Sequence, residues 1–185
     1  MNRILKTMLI VFSLTAGAAA QAQWADKIIL YIPNRVVDVF DVFTLNVCFG
    51  PVARAELTMT HAMQAGAGIG YTFNLMKDAN RQYGYAAQNG WDVLAGPFVM
   101  EDIERRPTSP WVKEYWEVFE GIPSPSAPIF VRETGARDYW EFGGKLGLAL
   151  AEVDFSLHPV DIVDAILGFF FIDIQGDDLT FESLR

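Results

Sequence analysis

Few residues in this chain could carry chemistry, and their spacing limits what that chemistry would be. There are two histidines, His61 and His158, and one cysteine, Cys48. Acid–base or metal work by the histidines would need companions, and no His-x-x-x-His or cysteine spacing accompanies either. His61 ends a strand pattern and His158 precedes Pro159 at a helix start, so strand-end and capping roles are expected. Cys48, between Val47 and Phe49, reads as a buried, inert thiol. Glu101, Asp102 and Glu104, followed by Arg105-Arg106, are adjacent carboxylates. A carboxylate pair can hydrolyse a glycosidic bond when held about 5–10 Å apart, but a mixed-charge surface loop accounts for this stretch. Asp173, Asp177, Asp178 and Glu182 offer oxygen ligands for a hard cation. Their spacing misses the calcium-loop pattern, and a solvated acidic tail is the expectation. Gly66, Gly68 and Gly70 alternate inside a strand pattern and do not make a nucleotide loop. No G-x-S-x-G elbow is present. No catalytic, metal or cofactor site is therefore expected.

The aromatic cluster Trp111, Tyr115, Trp116 and Phe119 is the most distinctive local feature. On a helix capped by Ser109, with Pro110 at its first position, Trp111, Tyr115 and Phe119 would share a face. Such a helix would pack on a sheet, or present its aromatics to a membrane interface or an apolar cavity. These four are the candidate membrane- or ligand-facing residues.

The N-terminus has the three parts of a secretory signal. Arg3 and Lys6 give the positive region, Met8 to Ala16 the apolar region, and Ala20-Gln21-Ala22 an A-x-A cleavage site. The apolar stretch is shorter than the roughly 20 residues of a spanning helix. No cysteine stands at its end for lipoprotein processing, and Cys48 lies too far downstream to serve. Removing residues 1–22, which hold two basic and no acidic side chains, leaves 163 residues with 12 basic and 23 acidic groups, a net charge of −11. That length supports one domain with its own core. The acidic balance excludes binding nucleic acid through phosphate neutralisation and docking on anionic headgroups by charge. A lone cysteine means packing without an internal disulfide, even in an oxidising compartment.

The elements follow from periodicity. Asn34 to Phe43 reads as an amphipathic helix, Pro33 breaking the chain before it and Asn34 capping it. Asn34, Asp38 and Asp41 take one side; Val36, Val37, Phe40 and Phe43 take the other. Arg54, Glu56, Thr58 and Thr60 alternate with Ala55, Leu57 and Met59, the period of a half-buried strand. From Gln64 to Met76 the alternation continues, with Ala65, Ala67, Ile69, Tyr71, Phe73 and Leu75 on one side. Tyr83 to Gln88 and Trp91 to Met100 read as strands joined at a hairpin turn, Asn89-Gly90. The prolines between 101 and 128 point to a long surface loop. Ile129 to Glu133 and Tyr139 to Phe142 read as short strands around Gly135, and Leu146 to Leu157 as a last long one. A second helix runs from Val160 to Phe170, with Asp161 and Asp164 on its polar side. Residues 37–43, VDVFDVF, and 160–166, VDIVDAI, echo each other, as if both helices did one job at the two ends of the sheet.

The predicted architecture is mainly β: a curved antiparallel sheet or small barrel bracketed by two short amphipathic helices, with the signal peptide at 1–22 and a single β-rich domain at 23–185. Strands this long suit an outer-membrane barrel. Helices at both ends, a strand count not clearly even, and an end without a terminal aromatic strand speak against an integral one. Val36 to Phe43, Gly50-Pro51, Gln64-Ala65-Gly66, and His158-Pro159 with Asp173 to Asp178 resemble uncharacterised exported proteins of environmental Gram-negative bacteria. The resemblance covers both ends of the mature chain and little of residues 83–140. Those proteins carry no assigned activity, so it transfers no functional residue. It implies a cell-envelope location, in the periplasm or at the outer membrane. The leading expectation is a non-enzymatic, outer-membrane-associated protein whose partner is the membrane or another envelope protein. A periplasmic module binding an apolar ligand comes second, and a hydrolase using Glu101 or Glu104 last.

Overall fold

Period-two alternation over long stretches builds long strands. A computed structural model describes residues 28–132, 134–176 and 178–180. The expected signal peptide at 1–22 lies outside these residues, as do Asp177 and Glu182. The described residues divide into two compact units, one from Phe40 to Val163, the other comprising those up to Val39 and from Asp164 onward.

The larger unit is one antiparallel sheet of six strands: β1 Phe43–Thr60, β2 Met63–Asp78, β3 Gln82–Gly96, β4 Phe98–Pro107, β5 Tyr115–Gly121 and β6 Phe142–Leu157. Their order is β5-β4-β3-β2-β1-β6, and no ladder joins β5 to β6 among the described residues, so the sheet is open. It is strongly curved. Residues from all six strands, including Glu56, Gln64, Asp92, Arg105, Tyr115 and Lys145, line one interior cavity. β6 folds back on itself, because a side chain at Gly143 would run into the backbone of Phe155 and Ser156. Ala149, at φ 61°, sits at the bend. The glycine row of β2 serves close approach, as its composition predicts. A Cβ at Gly68 would stand 2.6 Å from Arg54 Cγ, so the space is filled by a guanidinium arm.

Several local expectations are corrected. Asn89-Gly90 is no turn: β3 runs straight through it, with Asn89 opposite Tyr71 and Glu104. Gly90 has a φ of +151°, which a strand can hold only at glycine. The hairpin turn falls between Gly96 and Phe98 instead. The 101–128 stretch is not one loop, since it contains most of β4 and all of β5. The helix expected over Trp111–Phe119 is strand β5 from Tyr115 onward. Short strands at 129–133 and 139–142 are absent among the described residues; a single 3-10 turn spans Pro128–Phe130.

Helix α1 spans Tyr31–Asp41 and α2 spans Pro159–Gly168. Pro33 stands inside the first turn of α1, where its missing N–H costs nothing. Asn34 is helical, its N–H bonding to Leu30 O at 2.9 Å, and is not the cap. The helices join the sheet at one end, not at two: Phe43 pairs with Leu157, and His158 N–H donates to Val42 O at 2.8 Å.

In the smaller unit, Asn34 Oδ1 accepts from Leu179 N–H at 2.8 Å and Arg35 pairs with Asp178 at 3.0 Å. The end of the described chain is therefore tied down by α1, where the sequence suggested a solvated tail. Asp173 accepts backbone N–H groups from Gln175 at 3.1 Å and from Asp178 at 3.3 Å. Asp173 caps a turn, and Asp178 serves Arg35.

Candidate functional site

The alternation is where it was expected, but its polarity is reversed. Along β1 the buried positions are Thr44, Asn46, Cys48, Val52, Arg54 and Thr58; Leu45, Phe49, Leu57 and Met59 are exposed. Along β2 the buried row includes Gln64, Thr72, Asn74 and Asp78, and the exposed row Ile69, Tyr71, Phe73 and Leu75. β6 buries Glu152 and Ser156 and exposes Leu146, Leu148, Leu150, Val153 and Phe155. Leu148 is 80% exposed while Arg54, one residue along from its partner Ala53, is 6% exposed. Both helices follow suit. Asn34, Asp38 and Asp41 are buried in α1, with Val36, Val39 and Phe40 exposed; α2 buries Asp161 and Asp164 and exposes Val163 and Ile166.

What the sheet encloses is an ion-pair network. Arg54 binds Glu56, Asp92 and, at 3.0 Å, Glu152. Lys145 stands 3.5 Å from Glu56. Arg105 pairs with Asp78 at 2.9 Å, and Arg137, on the segment between β5 and β6, binds both oxygens of Glu101 at 2.8 and 3.0 Å. Asn46 donates to Asp154 at 2.9 Å. Burial together with the Glu56 charge pushes the Asp92 carboxyl up, whereas Lys145 and Arg54 overcome burial at Glu56 and hold it down. Burial, reinforced by Asp78 and Glu141 against Lys145, lifts Asp154 to about 7. Carboxylates outnumber cations here, so part of the network holds protons near neutrality. The interior cavity is small, about 60 Å³, and its wall combines these charged groups with apolar and aromatic residues such as Leu94, Val99, Phe119 and Phe130. The buried apolar cluster is correspondingly slight: Met76, Ala86 and Val112.

The two histidines, distant in sequence, meet this network from its rim. His61 Nε2 is 3.0 Å from Glu141, which accepts from Ser156 at 3.2 Å. Against the cost of burial, the His61 hydrogen bond and nearby positive charge bring Glu141 down to about 2. His158 contacts Asp138 through Nδ1 at 2.8 Å and Thr44 through Nε2 at 2.9 Å. Burial opposes its charging, but the Asp138 bond and Glu141, Asp138 and Asp161 raise it. One ligand atom each from Asp138, His158 and Asp161 lie within 4.8 Å of one another. Both His158 nitrogens already have protein partners, and Arg132 neutralises Asp161 at 2.6 Å. Cys48 is buried as expected, and burial with the Glu152 and Asp154 charges pushes its thiol up to about 12.

The four aromatics picked out in the sequence separate. Tyr115 and Phe119 line the interior cavity from β5, where the Tyr115 ring lies 4.9 Å from the Arg105 guanidinium and 5.2 Å from that of Arg137. Trp116 faces outward and donates its indole N–H to Asp102 at 3.0 Å. Trp111 is exposed on the turn before the strand. Glu101 and Glu104 also part company, Glu101 to Arg137 in the interior and Glu104 to Arg106 at 2.7 Å outside, so they do not flank one bond. Sequence reasoning missed Arg54, Asp92, Lys145 and Arg137 as network members; polar residues recurring every second position are the one signal that pointed toward them. No family model matches the chain, and neither the curated proteins nor the solved structures compared with it give a match.

Proposed function

We propose that the mature protein is a non-enzymatic envelope protein held at the outer membrane, with the exposed apolar rows of β6, β1 and β2 lying in the acyl-chain layer. The reversed polarity of these strands is the observation that carries this reading. In water such a sheet would expose a wide apolar field, far from the scattered apolar residues of ordinary surfaces. It would also bury charges whose desolvation is costly. Against lipid the same outward rows are solvated, and the interior pairs satisfy one another. Among the described residues no helix is long and apolar enough to cross a membrane. An open sheet has unpaired edges that do not suit the centre of a bilayer, which favours contact through one face over a spanning barrel. The interior cavity, at about 60 Å³ and with Glu56, Asp92, Arg105 and Lys145 in its wall, offers little room for an apolar ligand, the expectation of the binding-module alternative.

Fractionation of cells expressing the full chain tests this. The protein is expected in the outer-membrane pellet, retained through high salt and alkaline wash and released by detergent. Recovery in the soluble periplasmic fraction would overturn the proposal.

A further inference from the structure

The outward face is not apolar throughout. Across β3, β4 and β5 a cleft of about 440 Å³ is lined by Ile69, Asn89, Trp91, Asp102, Glu104, Arg106 and Trp116. That volume is within the range of about 300–1,000 Å³ for small-molecule sites. The register explains its shape. Trp91 stands opposite Asp102, and Asn89 opposite Glu104, which in turn faces Trp116. The two indoles thus lie diagonally across β4 with the carboxylates between them. These carboxylates are oriented in advance: Asp102 accepts the Trp116 indole N–H at 3.0 Å, and Glu104 accepts from Arg106 Nε at 2.7 Å. Each keeps lone pairs free for a ligand. A smaller hollow of about 140 Å³ continues the cleft, sharing Asn89, Glu104 and Arg106 and adding Tyr71.

We propose that this cleft binds a pyranose sugar, either free in a glycan or as the headgroup of a glycolipid. The chemistry of the lining selects that class. A pyranose presents a face of C–H bonds, which stacks on an indole, and a rim of hydroxyls, each both donor and acceptor. Asp102 and Glu104 accept from hydroxyls, while Arg106 and the Asn89 amide donate to neighbouring ones. A purely apolar ligand would leave these polar groups unpaired, and the two carboxylates repel a phosphate. Open polar walls beside exposed indoles suit a ligand that stays partly in water.

The test uses the full mature chain in a zwitterionic, sugar-free detergent. Tryptophan fluorescence is followed during titration with maltotriose and with di-N-acetylchitobiose. A second arm measures binding to phosphatidylethanolamine vesicles with and without a glucosyl lipid. A saturable fluorescence change with either saccharide, weakened at least tenfold by Trp91→Ala or Trp116→Ala and several-fold by Asp102→Asn, supports the proposal. Tighter binding to the glucosyl vesicles that depends on the same two tryptophans also supports it, and assigns the sugar to a lipid headgroup. Absence of a saturable response in both arms, or responses unchanged in both tryptophan variants, would overturn it and leave the indoles as surface anchors. Circular dichroism of each variant checks folding. The saccharide arm is independent of the membrane reading, because Leu148→Glu is expected to lose vesicle binding while keeping saccharide binding.

Discussion

The two flanks of one sheet carry their polar and apolar rows differently. On β6, β1 and β2, leucine, isoleucine, phenylalanine and methionine face outward over a buried network centred on Arg54. On β4 and β5 the outward rows mix Asp102, Glu104, Arg106 and Glu120 with Phe98, Met100, Trp116 and Val118, while Val99, Ile103 and Phe119 turn inward beside Glu101 and Arg105. The β4–β5 flank mixes polar and apolar side chains on both faces, whereas the β6–β1–β2 flank inverts the rule for a sheet in water. The difference fits a molecule whose two flanks meet different surroundings, acyl chains on one side and water on the other, with Trp91 and Trp116 near the boundary, where such rings settle.

The largest effect is expected from breaking the interior of the reversed flank. Arg54→Met leaves Glu56, Asp92 and Glu152 without their shared cation. Removing one partner of a buried ion cluster typically costs about 3–5 kcal/mol. The variant should therefore melt far below the parent in detergent, or fail to accumulate. A melt within a degree or two of the parent would show that the network does not hold the flank together.

The next comparison sets one outward position on each flank side by side. Leu148→Glu on β6 and Val118→Glu on β5 place the same charge on residues of similar exposure, 80% and 68%. If only the first meets acyl chains, it alone pays a transfer cost of about 2–3 kcal/mol. Vesicle partition should then fall by about 30-fold to about 160-fold for Leu148→Glu and stay nearly unchanged for Val118→Glu. Equal losses would erase the distinction between the flanks.

How much of this was legible in the sequence follows from the same contrast. Period-two alternation reveals a strand whatever its surroundings, so residues 64–76 and 146–157 could be placed in long strands. It does not reveal which row is buried, because that depends on the solvent. Hence the glutamine–glycine–threonine–asparagine row of β2 could not be known to face inward. Trp111, Tyr115 and Phe119 misled for a geometric reason: a spacing of four returns to the same face on a helix and also on a strand. Trp116 breaks the tie, since its position next to Tyr115 puts it on the opposite face only if the segment is extended. Asn89-Gly90 carries the strongest short turn signal, yet its glycine lies inside β3 at a positive φ, where a Cβ would run into the β4 backbone at Asp102 and Ile103. That misreading hid Trp91 and Asn89, which line the outward cleft. The ion network was illegible because its members come from five strands and a connecting segment, and pairing is set by register.

The smallest expected effect concerns how the reversed flank answers to pH. Asp154, with its proton held to about pH 7 by burial and the nearby carboxylates, normally titrates near 3.8. The folded chain therefore binds a proton more tightly than the unfolded one, and this group's contribution is fully present below the unfolded value. It declines as pH rises through the interval up to about 7. Asp92, raised in the same direction, adds to the decline. Glu141 acts with the opposite sign: held near 2, it contributes stability above its usual 4.5 that is lost as pH falls toward 2. Stability should thus peak in mildly acidic solution and fall toward pH 8. Asp154→Asn keeps the Asn46 neighbour and removes the charge, so it should flatten that fall. Because Asp154 is only half-buried, the gain at pH 8 is expected to be about 1–2 kcal/mol, well short of the full shift. Thermal melts of parent and variant in detergent from pH 4 to pH 8 measure it. A parent whose stability rises steadily to pH 8 would mean that the carboxylates beneath β6 are fully compensated, and that the reversed flank carries no excess of buried acid.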